Sequence, residues 1–198
     1  MRFCVEAIIV AKKAKKTQRS ASSGFERIVI GGALGVTLVF LAIIVVTGIT
    51  NAAPTLDLAA VPDASRAYPI QSRDHIAEGA LHPAYNSNPP TGGWHYALAS
   101  PVGVFPDGLP DETLVHNLEH GHVWLSYRDA DDAEARELLS SMRGPYPQHV
   151  IVTHRPENDS RIALAAWGRL LTLDELDADQ IHAFIQRYRA RAPENIPG

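Results

Sequence analysis

Residues 111–127 read DETLVHNLEHGHVWLSY, a stretch that passes from helix to strand within a few positions. Asp111 suits the start of a short helix reaching His120, and Gly121 suits the left-handed residue that ends it. Val123-Trp124-Leu125-Ser126-Tyr127 then has the composition of a strand. The same stretch concentrates coordination chemistry, with His116, Glu119, His120 and His122 close together. At helical spacing His116 and His120 share a face, and two neutral imidazoles so placed can grip one metal ion.

Toward the C-terminus, a helix is predicted over about Ala133 to Arg143. Its apolar face is Ala135, Leu138, Leu139 and Met142, and Gly144-Pro145 stops it. Val150 to Thr153 and Ile162 to Trp167 read as strands joined by the polar turn RPENDS. A last helix, about Ala178 to Ala190, buries Ile181, Phe184, Ile185 and Tyr188, with Asp177 and Gln180 as its capping box. A further strand lies near His95 to Leu98. The sum is an α+β domain with a roughly four-stranded sheet and about three helices. The same element order also matches a thioredoxin-like core.

Toward the N-terminus the composition changes. Residues 28–49 carry no charge and span roughly 33 Å as a helix, enough for a bilayer core. Residues 1–27 hold seven Lys or Arg against two acids, a net charge of +5. Residues 51–198 hold eleven Arg, no Lys and twenty acids, a net charge of −9. The positive-inside rule then predicts a single-pass signal-anchor in the cell membrane, with the N-terminus cytoplasmic and the C-terminal part outside. Cleavage after Asn51-Ala52-Ala53 is the alternative. The expected organisation is a basic tail (1–27), a transmembrane helix (28–49), a tether rich in Ala, Pro and Asp (50–69) and an extracytoplasmic domain (70–195). The membrane is the expected partner. The acidic balance argues against nucleic acid, and the sequence identifies no protein partner. The only cysteine, Cys4, lies in the tail, so the outer domain has no disulfide, no thiolate ligand and no Cys nucleophile.

Five segments carry a resemblance: RDHIAEG (73–79), YNSNPPTGGWHY (85–96), LVHNLEHG (114–121), AWGR (166–169) and FIQRYR (184–189). Together, over about residues 70–195, the chain resembles the bacterial domain of unknown function 3105 family. The resemblance brings no established activity. It implies a membrane-anchored or secreted domain with histidines at the positions of His75, His95, His116 and His120. The family loop commonly reads PPTSGPHY, so Gly92 and Trp94 are departures here. Gly is frequent in the family at the position of His122.

Three functions compete. In the first, His116 and His120 are primary metal ligands, His95 and His75 are brought in by folding, and Glu119 or a water completes the site. Imidazole suits copper or zinc, and the affinity order favours copper. In the second, the H-x-x-E-H pattern from His116 to His120 marks a zinc hydrolase with Glu119 as base, although a strand follows the helix too soon for that family. In the third, the histidines and Asn117 hold the loops of a scaffold domain together by hydrogen bonds. The metal-binding, non-enzymatic reading is the one the histidine pattern favours.

Overall fold

The computed structural model describes residues 56–194, which belong to one compact unit, Ala52–Gly198. Eight strands and three helices follow in order. They are β1 (Arg66–Ala67), β2 (His75–Ile76), β3 (His95–Tyr96), β4 (Val104–Phe105), α1 (Asp111–Glu119), β5 (Val123–Tyr127), α2 (Ala133–Ser141), β6 (Val150–His154), β7 (Ile162–Ala166), β8 (Arg169–Leu173) and α3 (Ala178–Tyr188). A six-stranded mixed sheet has the order β1-β8-β7-β5-β6-β4, and β2 and β3 form a separate parallel ribbon.

These sheets correct the expectation of one roughly four-stranded sheet. β8 follows β7 through the turn at Trp167-Gly168, where Gly168 has φ +69°. β1 and β4 are two-residue edge strands, too short to show the alternation that marks a strand in sequence. The thioredoxin-like order fails as well, because its opening strand at His95 lies in the ribbon and not in the main sheet. β6 and β7 are joined by the polar turn, yet β5 pairs between them, parallel to β6 and antiparallel to β7. The expected membrane helix at 28–49 and the tail at 1–27 lie outside the described residues. No helix among the described residues is long and apolar enough to cross a membrane.

β5 is buried along its whole length, which is why it reads as an apolar run. Its alternate residues feed two cores. Val123, Leu125 and Tyr127 meet Leu139 of α2 and Ile181, Phe184 and Ile185 of α3 on one face. Trp124 meets Leu114 and Leu118 of α1 on the other. The sheet is thus the middle of three layers. Asp132 caps α2 through Ala135 N and Asp177 caps α3 through Gln180 N.

α1 starts differently from its prediction. Pro110 occupies the N-cap, and Asp111 is the first helical residue. The Asp111 carboxylate instead accepts a two-pronged contact from Arg155, at 2.9 and 2.7 Å. The helix end is as the glycine implies. Gly121 adopts φ +85°, its N–H donates to Leu118 O, and His122 N–H donates to Asn117 O. This Schellman closure turns the chain at His122 toward β5 and leaves His116 and Glu119 facing the ribbon.

Candidate metal centre

Leu114 and Leu118 point α1 into the core, so the residues between and beyond them are offered elsewhere. His116 and Glu119 meet the β2–β3 ribbon, where His75 and His95 are direct register partners. One ring nitrogen from each of His75, His95 and His116 lies within 4.8 Å of the others. The ring centres are 4.8 Å apart for His75 and His95, 5.0 Å for His75 and His116, and 5.2 Å for His95 and His116. His95 is fully buried, His116 is buried and the His75 side chain is 47% exposed, so the cluster is open on one side only.

Backbone carbonyls orient the rings. Nδ1 of His95 donates to Gly93 O at 2.7 Å, and Nδ1 of His116 donates to Tyr96 O at 2.6 Å. A carbonyl only accepts, so Nδ1 carries the proton in both neutral rings and Nε2 presents a bare lone pair. Nε2 of His95 lies 2.9 Å from Glu119 Oε2, so in the neutral ring a lone pair faces the carboxylate, and a proton or another cation between them relieves the repulsion. Unprotonated, this buried nitrogen makes no hydrogen bond within the domain. His120 repeats the pattern, with Nδ1 on Glu194 O at 3.1 Å and Nε2 at 2.8 Å from Nε2 of His116. Two neutral rings so anchored aim lone pairs at each other, and only a proton or another cation relieves that. Burial depresses the basicity of His116, and the neighbouring imidazoles add to the effect.

Glu119 is 1% exposed and is the only buried carboxylate among the described residues. Its Oε1 accepts from Nε of Arg73 at 2.6 Å, and its Oε2 faces His95 and, at 4.0 Å, His75. Burial pushes its carboxyl up, but the Arg73 hydrogen bond, the His95 imidazole and the Arg73 charge together outweigh burial and hold it below the ordinary range. Glu194 joins the group three times. Its N–H donates to Glu119 O, its carbonyl accepts from His120, and its carboxylate takes Nη2 of Arg73 at 3.2 Å.

The NSNPPTGGWHY loop sets His95. Gly93 has φ +133°, and a Cβ there would sit 2.9 Å from the Tyr85 ring, so glycine is required beside the carbonyl that holds His95. Tyr85 OH donates to Trp94 O at 2.6 Å and Gly168 N–H to Thr91 O at 2.8 Å, which pins both shoulders.

Of the five residues expected at a metal site, His75, His95 and His116 converge with Glu119 beside them, and His120 touches His116 alone. His122 is separate, with Nδ1 donating to Asn117 O. His82 pairs with Glu112, His154 meets Arg128 O, and His182 meets Tyr146 OH. Sequence reasoning missed Arg73 and Glu194. Arg73 stands two residues before His75, a spacing that in extended chain shares a face and was the available signal. Glu194 had none, since it arrives by tertiary packing. Residues 79–197 match the family described as "Protein of unknown function (DUF3105)", and His75 and Arg73 lie just before that match. No curated protein and no solved structure matches the chain.

Proposed function

The chain belongs to the DUF3105 family, whose function is unknown, and we propose that its domain binds a divalent transition metal through His75, His95 and His116. The observation that carries this is the state of the ring nitrogens. Carbonyls hold the Nδ1 atoms of His95 and His116, and their Nε2 sides converge with His75 within 4.8 Å, beside the Glu119 carboxylate. A histidine whose far nitrogen is anchored in this way is preset as a metal ligand. Glu119 supplies negative charge beside the rings, and His120 stands next to His116 as a further donor. The donor set is imidazole and carboxylate without sulfur, which suits copper(II) first by affinity order and zinc(II) next.

Hydrolysis with Glu119 as base is disfavoured by geometry, because that carboxylate is buried and engaged by Arg73. A purely structural cluster would hold His95 as an imidazolium between Gly93 O and Glu119 Oε2, and it leaves the convergence of three ring nitrogens within 4.8 Å without a use. The test is titration of the full-length protein with Cu(II) and Zn(II), monitored by bound-metal analysis after desalting. One equivalent is expected in the wild type, with His95→Ala and His116→Ala each weakening it at least about tenfold. Wild-type stoichiometry retained in both variants would refute the site.

A further inference from the structure

The charges around the histidines do not balance a divalent ion. The imidazoles contribute none, and His120, anchored on Glu194 O, adds none either. The only buried carboxylate among the described residues is Glu119, and its charge is already answered by Arg73 at 2.6 Å. Glu194 also leans on Arg73, but its carboxylate is half exposed and at the rim. A dication held by neutral rings in such a setting keeps its positive charge and attracts an anionic ligand.

The opening lies on the side where that ligand can be recognised. His75 is 47% exposed and Arg73 is 50% exposed, and they sit two residues apart in one segment. The Glu119 carboxylate bridges them, with Oε1 on Arg73 and Oε2 facing His75 and His95. Arg73 uses Nε on Glu119 and one Nη2 contact on Glu194, which leaves guanidinium donors for a ligand arriving from solvent. A planar guanidinium matches a carboxylate better than it matches a spherical anion.

Resting on the metal reading above, we propose that the centre binds a small carboxylate as an additional ligand, shared between the metal and Arg73. Arg73 is then a specificity residue as well as the partner of Glu119. His75 marks the exposed edge where the ligand enters, and buried His95 and His116 form the closed floor.

The experiment uses the full-length protein loaded with Co(II), whose visible bands report both occupancy and ligand exchange. Bands before any addition confirm that the histidines hold the ion, and their absence overturns the metal reading itself. Acetate is then titrated against chloride at equal ionic strength. A saturable band shift with acetate, stronger than with chloride, supports the proposal. In Arg73→Gln the acetate affinity falls about tenfold or more while the bands of the acetate-free form remain. Intact bands that acetate does not move overturn the carboxylate ligand and leave the metal site standing. An equal acetate response in Arg73→Gln overturns the assignment of Arg73.

Discussion

Replacing Arg73 by Gln removes the countercharge of a carboxylate that has 1% exposure. Loss of one partner from a fully buried pair costs about 3–5 kcal/mol, whereas an exposed pair is worth about 0.2–1 kcal/mol. The Arg73 side chain is half exposed, so water replaces part of what it gives and a cost of about 2 kcal/mol is expected. For a domain of this size that is a fall of about 6–10 °C in Tm, read by thermal unfolding in chelator. The pH dependence has a defined sign. Glu119 is held below its ordinary value in the fold. Its pairing therefore stabilises above the unfolded carboxyl pKa of about 4.3 and is lost as the pH falls through the folded value. The difference between wild type and variant is largest at neutral pH and shrinks in acid. A bound dication beside Glu119 restores part of the missing charge. If it recovers about 1 kcal/mol, linkage requires roughly fivefold tighter metal binding in the variant. An unchanged Tm in chelator, or a difference that persists undiminished at acid pH, would show that Arg73 does not compensate the Glu119 charge.

Three further outcomes are expected. Asp132 accepts from Ala135 N and receives both prongs of Arg161, which with the Ala135 bond holds its carboxyl down at about 2. Asp132→Asn keeps the cap and loses the pair, costing about 1 kcal/mol in urea unfolding at neutral pH, and the wild-type advantage disappears as the pH falls from about 4 toward 2. Gly121→Ala places a Cβ at φ +85° and costs about 1–2 kcal/mol by the same measurement, with metal affinity falling because the helix end positions His120. Deleting residues 192–198 removes the Glu194 carbonyl that orients His120 and the carboxylate on Arg73. Metal affinity then falls about tenfold by titration, while far-UV circular dichroism stays unchanged.

The helices were legible because each carries its own punctuation. α2 and α3 show apolar faces at helical spacing and acidic caps at Asp132 and Asp177, and α1 shows Gly121. The long strands were legible where burial on both faces leaves an apolar run, as in β5. β8 was not, because RLLTL follows β7 after only Trp167-Gly168 and has neither clean alternation nor a β-branched run. The ribbon of β2 and β3 was hidden for another reason. Two residues per strand cannot show a period, and parallel pairing joins segments twenty residues apart. Yet that ribbon sets His75 against His95.

The site was half visible in the same way. Histidine content and the HNLEHG spacing pointed to His116, but the four-residue spacing gave His120 too much weight. The Gly121 closure makes His120 the C-cap, where its Nδ1 is held on Glu194 O and its Nε2 reaches His116, outside the group of three that converges. Asp111 reads as a cap by residue type, but Arg155 claims its carboxylate from forty-four residues away, which no local pattern records. The carbonyls of Gly93 and Tyr96, which fix the protons of His95 and His116, belong to the backbone and carry no sequence signal at all.

The proposed centre joins three imidazoles from three segments on one ion. X-ray absorption at the metal edge of the full-length protein loaded with one equivalent of Cu(II) or Zn(II) tests it most directly. Three imidazole ligands with nitrogens at about 2.0 Å are expected, with one or more light-atom ligands besides. His95→Ala and His116→Ala each remove one imidazole from that pattern. A spectrum with no imidazole scattering, or one that both substitutions leave unchanged, would contradict it.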